Sequence, residues 1–166
     1  MATERKAEVE WIGDLMDGEG KIVSTTSGLI PELEITWAAR NDETEGKTSP
    51  EELLAAAHAS CFSMALAHGL VGAGWEPEEI YVSANVTFEQ GIGITGIELT
   101  ARVVSEGIPD DLLRQTAERA KATCPVSKAL AGVEITLDLP DLPPPEDEEE
   151  PADEQYASVS DTDDEQ

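Results

Sequence analysis

Cysteine occurs only twice in the 166 residues, at Cys61 and Cys124, and the two never form a Cys-x-x-Cys pair. So few thiols exclude a disulfide-stapled framework, and a chain of this length buries a core without one. The only histidines are His58 and His68. With a lone His-x-x-Cys spacing and no close cysteine pair, no metal site is expected. Basic residues are also scarce: 10 Lys and Arg stand against 36 Asp and Glu, for a net charge of -26. Such a surface repels phosphate backbones, which argues against nucleic acid as a partner. The opening MATERKAEVEWIG has no apolar core of signal-peptide length, and no stretch is read as reaching the roughly 20 apolar residues of a membrane span. The expectation is a soluble cytoplasmic protein with no membrane partner. Motifs of Ser-His-Asp hydrolases, phosphate loops and dinucleotide folds are missing too.

What the chain does have is acid, and not only at its end. Residues 141 to 166 hold 12 acidic side chains and no Lys or Arg, leaving 24 acids against 10 bases in residues 1 to 140. An acidic folded part suits a protein adapted to high salt, where repulsion is screened and hydrated carboxylates keep the chain soluble. The composition breaks at DLPDLPPPEDEEE, so residues 1–142 read as one domain and residues 143–166 as an acidic, proline-rich disordered tail. The tail reads as a solubilising appendage rather than a partner-recruiting one.

Within the domain, EVEWIG, GKIVSTTSG and ELEITWAAR are short alternating segments that suit an antiparallel meander, the third ending at Arg40. From Ser49 to about Val71 the pattern turns helical. Ser49 is a candidate N-cap, Pro50 sits at the first helical position, Glu52 completes a capping-box spacing and Glu51 favours the helix N-terminus. Almost no polar residue interrupts Leu53 to Leu66, so the helix should be buried on most of its circumference. EIYVSANVTFEQ and GITGIELTARVVSE then read as a strand pair joined around Gly91 and Gly93. A helix from about Asp110 to Ala122, a short one starting near Pro125, and the strand VEITLDL complete an α+β domain with sheet wrapped on a buried central helix.

The cysteines are the chemical question. In a reducing compartment, two cysteines point to catalysis or redox sensing, with two unrelated buried thiols as the alternative. Cys124 precedes Pro125, which places its sulfur near the start of a helix where a thiolate is favoured. Cys61 lies mid-helix and needs a cation from elsewhere. Arg40 is the best placed, able to approach that helix or its counterpart in a second protomer. Arg102, Arg114 and Arg119 fit surface roles better. His58, one turn before Cys61, is either its general base or a packed core residue, and the alanine-rich face favours the second.

DGEGKIVSTTSG, TSPEELLAAAHASCFSMALA and KATCPVSKALAGVEITLDL resemble, in order, the osmotically inducible protein C (OsmC) branch of the OsmC/Ohr hydroperoxide reductases, over about residues 8 to 139. The resemblance implies an OsmC-like fold, antiparallel sheets wrapped around a buried central helix, in an intertwined homodimer with two active sites at the subunit interface. It implies thiol peroxidase activity toward organic hydroperoxides and, less efficiently, hydrogen peroxide. By position Cys61 matches the peroxidatic cysteine and Cys124 the resolving one. Arg40 matches the arginine that stabilises the thiolate, and Glu51 the carboxylate that holds it. An alkyl hydroperoxide would enter a pocket walled by Phe62, Met64 or their neighbours, and a dithiol of lipoyl or thioredoxin type would restore the enzyme. No haem, flavin or metal cofactor is required. Two other classes fit two cysteines: a non-enzymatic redox sensor of the stress response, and a small-molecule binding module with structural thiols.

Overall fold

The computed structural model describes residues 2–30, 32–41, 44 and 46–140; the expected tail at 143–166 lies outside the described residues. The chain opens with strands β1 (Ala7–Ile12), β2 (Glu19–Thr25) and β3 (Glu34–Thr36), paired antiparallel in the order β1-β2-β3. Trp11 lies opposite Gly20, where its ring covers the backbone so closely that a Cβ would sit 2.6 Å from a ring carbon. The third segment is not one strand running to Arg40. It splits into β3 and a helical turn, α1 (Trp37–Asn41), because Thr36 Oγ1 accepts from the Ala39 N–H and the Ala-Ala-Arg run that follows favours helix.

The long helix α2 spans Pro50–Gly72. Ser49 caps it, its Oγ accepting from the Glu52 N–H at 3.1 Å, and Pro50 occupies the first turn as expected. The Glu52 carboxylate accepts from Thr48 Oγ1 at 2.7 Å, so it ties the helix start to the preceding residue. Strand β4 (Glu79–Glu89) and strand β5 (Gly93–Val104) follow as an antiparallel pair. The connection needs Gly91 and Gly93, whose φ values are 84° and 117°. Next come α3 (Asp110–Thr123), α4 (Pro125–Ala129) and β6 (Glu134–Asp138). β6 pairs with β5 in parallel, the one pairing that departs from an antiparallel expectation. The chain leaves the far end of β5 and returns through two helices, so β6 can only run in the same direction.

β4 alternates between exposed and half-buried residues, presenting Ile80, Val82 and Ala84 to the core. α2 lies on this face and packs also against α3 and α4. Phe62, Leu66 and Leu70 from α2, Leu99 and Ala101 from β5, Ala117 and Ala120 from α3, and Cys124 form the buried cluster. Each fully buried Leu or Phe contributes roughly 1.5 to 3 kcal/mol in transfer free energy, so this cluster anchors the helix that carries Cys61. By length and composition α2 could cross a membrane, contrary to the expectation that no stretch is long enough. Its stripe inside this α+β core instead makes it a core helix. That stripe is Glu51, His58, Phe62, Leu66 and Leu70, narrower than the burial expected around most of the circumference. A single sheet and two helices cover one side, while Met64 and Val71 remain exposed.

Candidate active site

Two separate constellations hold the four residues singled out by the sequence. The first sits at the start of α2. Arg40 Nε donates to Glu51 Oε1 at 2.9 Å and to Oε2 at 3.1 Å, while Nη2 donates to Oε1 at 2.6 Å. Glu51 is buried and Arg40 partly so. This bidentate fork uses the planarity of the guanidinium and fixes both side chains. The Phe88 ring lies 3.9 Å from Arg40 Cζ and the Trp37 ring 5.7 Å, so the cation is also held on aromatic faces. No signal in the sequence singles out Phe88; only the fold brings the end of β4 over α1.

The second constellation is the dithiol. Cys61 and Cys124 are both free, Cys124 is fully buried and Cys61 packs against the cluster that contains it. Cys124 ends α3 and begins α4 with extended backbone, φ -52° and ψ 125°, the conformation a following proline requires. Burial raises the Cys124 thiol, but the Ser127 N–H, the Cys61 thiol, the Ser127 hydroxyl and the Val126 N–H together outweigh it and hold it below its ordinary value. The Cys124 side chain makes no capping hydrogen bond of regular geometry, yet these dipoles still favour its thiolate. Cys61 moves the other way: burial raises it, the Val126 N–H opposes, and the neighbouring Cys124 raises it further.

Within one chain the two constellations do not meet. Ten residues of helix separate Glu51 from Cys61, about 15 Å along the axis at 1.5 Å per residue. Arg40 is not among the groups that act on Cys61. His58 does not serve Cys61 either. It is fully buried, as the core reading of it expected, and its Nε2 lies 2.8 Å from Ser127 Oγ. Ser127 went unnoticed in the sequence; its signal is a hydroxyl three residues after Cys124, at the start of the short helix. Phe62 belongs to the core and Met64 is exposed, so Phe62 does not wall an open pocket.

A free, mutually contacting dithiol, with Cys61 on the central helix and Cys124, the sulfur biased toward thiolate, at the junction of α3 and α4, defines a thiol redox protein. The comparisons narrow that class. Residues 41–138 match the family model described as OsmC-like protein. Over 141 residues the chain is 40% identical to Peroxiredoxin OsmC of Escherichia coli (strain K12), covering 83% of this chain and 96% of that protein. It is 33% identical over 125 residues to Organic hydroperoxide resistance protein OhrA of Bacillus subtilis (strain 168), covering 73% and 87%. Among solved structures, the organic hydroperoxide resistance protein OhrB of Bacillus subtilis superposes with a TM-score of 0.63 at 25% identity, over 81% of this chain and 98% of that one. The chain belongs to the OsmC-like family, and its α+β fold is that of the OsmC/Ohr proteins.

Proposed function

We propose that the protein reduces organic hydroperoxides, with Cys61 as the sulfur that is oxidised and Cys124 as the sulfur that resolves it. It is a peroxidase of the family whose members include Peroxiredoxin OsmC. The observation that carries the mechanism is the direct approach of two free thiols, one exposed enough to meet substrate and one fully buried. The Cys61 thiolate attacks the terminal peroxide oxygen, an S–O bond forms, the O–O bond breaks, and the alkoxide takes a proton to leave as alcohol. Two electrons have left the sulfur, which is now a sulfenic acid. Cys124 attacks that sulfur, an S–S bond forms, and the S–O bond breaks to release hydroxide, which takes a proton to become water. An external dithiol, of lipoyl or thioredoxin type, then returns two electrons and two protons.

Cys61 needs a cation that none of the described residues of its own chain brings to it, and the Arg40–Glu51 pair is built rigidly with no described thiol beside it. The reading that joins these facts is an intertwined homodimer in which one protomer's Arg40 faces the other's Cys61. β1 is exposed over all six residues, and Val9, Trp11, Ile12, Met16 and Met64 present apolar surface that a single chain leaves open. Cumene hydroperoxide consumption by the purified protein, with dihydrolipoamide compared with thioredoxin, tests the activity. Turnover with one of them is expected, faster than with hydrogen peroxide as substrate. No consumption beyond one equivalent with either dithiol would leave only a redox sensor.

A further inference from the structure

Position 58 lies on the buried stripe of α2, where a purely structural residue would be apolar, since burying an unpaired polar group costs free energy. The imidazole there has a definite partner 69 residues away. His58 Nε2 and Ser127 Oγ are 2.8 Å apart, both residues are buried, and the Ser127 hydroxyl in turn acts on the Cys124 sulfur. The other ring nitrogen, Nδ1, is buried with no hydrogen-bond partner among the described residues.

We propose that His58 is a positioning residue for the resolving step: it fixes the Ser127 hydroxyl as a donor to Cys124 Sγ, through a relay running His58 Nε2–H to Ser127 Oγ and Ser127 O–H to Cys124 Sγ. The inference rests on the reading of Cys124 as the resolving thiol. A neutral imidazole carries one N–H. Burial keeps this one neutral by lowering its pKa from the usual 6.5. With the proton on Nδ1, a buried donor would have no acceptor. With the proton on Nε2, that nitrogen donates to Ser127 Oγ and Nδ1 is only an unused acceptor, the rarer defect being the orphaned N–H. The second tautomer is therefore preferred. Ser127 has a single hydroxyl proton; once its oxygen accepts from His58, that proton is free to point at sulfur. A hydrogen bond to the charged form favours the thiolate. No proton reaches the imidazole at any point. Cys124 releases its proton to solvent on ionising, its thiolate forms the S–S bond as the Cys61 S–O bond breaks, and the departing hydroxide takes a proton from solvent.

The test uses four variants, Ser127→Ala, Ser127→Thr, His58→Leu and His58→Gln, each confirmed as folded by circular dichroism. The Cys124 titration is followed at 240 nm in a Cys61→Ser background. Closure of the disulfide after one equivalent of cumene hydroperoxide is followed by quenched flow with both cysteines present. Ser127→Ala and His58→Leu are expected to raise the Cys124 titration by about one pH unit and slow closure about tenfold, while oxidation of Cys61 stays within about twofold. Ser127→Thr keeps the hydroxyl and His58→Gln keeps an N–H near the Nε2 position, so both should retain most of the parent's behaviour. Equal losses in His58→Gln and His58→Leu, or an unmoved Cys124 titration in Ser127→Ala, overturn the relay. If the parent protein never closes a disulfide, the peroxidase reading fails, and the titration still decides the relay by itself.

Discussion

Replacing Arg40 with alanine removes three hydrogen bonds to Glu51 and the cation resting on Phe88, and it strands a buried carboxylate. Breaking a fully buried ion pair costs about 3 to 5 kcal/mol; with the Arg40 side chain 28% exposed, the loss here should be nearer 2 to 4 kcal/mol. Roughly 1 kcal/mol of that belongs to the aromatic contact. The first turn of α2 softens the loss slightly, since a lone carboxylate at a helix N-terminus is favoured by about 0.3 to 1 kcal/mol. Glu51→Gln keeps the volume and leaves a cation that water can reach, so about 1 to 2 kcal/mol is expected. The double variant should be more stable than the sum of the two losses predicts, by roughly 1 to 2 kcal/mol. Urea unfolding at pH 7 and one fixed protein concentration measures the cycle, because an oligomer's stability depends on concentration. A coupling below about 0.5 kcal/mol would refute the structural account of the pair. Activity is the second arm. Arg40→Lys and Arg40→Ala should each raise the Cys61 titration in a Cys124→Ser background and slow hydroperoxide reduction at least about tenfold, since lysine cannot present the fork to both carboxylate and sulfur. Glu51→Gln should do less. If Arg40→Ala loses stability while the rate per folded protein is unchanged, the pair braces α2 and does no more.

Three further outcomes are expected. Cys61→Ser should abolish turnover, whereas Cys124→Ser should reduce one equivalent of hydroperoxide and stall as a sulfenic or over-oxidised acid; mass spectrometry locating the stalled oxygen on Cys124 in the Cys61→Ser protein would reverse the roles. Removing residues 143–166 should lower solubility and leave kcat/KM for cumene hydroperoxide unchanged at moderate salt, and a tenfold fall at unchanged oligomeric state would count against a merely solubilising tail. His58 is held neutral by burial, so its contribution to stability is present above pH 6.5 and is lost as pH falls below it, by up to about 1.4 kcal/mol per pH unit. Urea midpoints of His58→Gln should therefore fall less steeply than the parent's between pH 6.5 and 5, and parallel slopes would show that the ring protonates freely in the fold.

Elements with strong local signals were legible in the sequence, and those decided by tertiary contact were not. Ser49 and Pro50 announce the start of α2, and Gly91 and Gly93 announce the turn between β4 and β5, because capping and positive φ depend on a few adjacent residues. The split between β3 and α1 turns on a single hydroxyl cap at Thr36, which alternation between polar and apolar residues does not reveal. The parallel sense of β6 depends on how α3 and α4 return the chain, a property of topology. The bond between His58 and Ser127 joins positions 69 residues apart and has no periodic signature at all.

The two cysteines mark where sequence reasoning and single-chain physics pull in different directions. Helix-end dipoles predict Cys124 as the more acidic thiol, and its surroundings agree: N–H groups of Val126 and Ser127 face its sulfur, while Cys61 is driven up by burial and by its neighbour. A peroxidatic thiol must meet substrate, however, and Cys124 is fully buried while Cys61 is not. A low pKa at Cys124 suits the proposed resolving step, in which a ready thiolate would shorten the life of the sulfenic acid and so limit over-oxidation. Acidity and access are thus divided between the two sulfurs, and among the described residues no cation of its own chain acts on Cys61, where the Val126 N–H alone opposes burial. In the proposed homodimer Arg40, held by Glu51, is that cation, already oriented and already partly desolvated, but set about 15 Å along the helix, less than half its length, from the sulfur of its own chain. If, as proposed, the protein works as a homodimer, a site whose two halves are each pre-built on one protomer and separated there is completed by the second copy's guanidinium, and dilution into monomers should cost the protein its peroxidase rate before it costs the fold; a rate per protein that stays constant through dissociation would refute that reading.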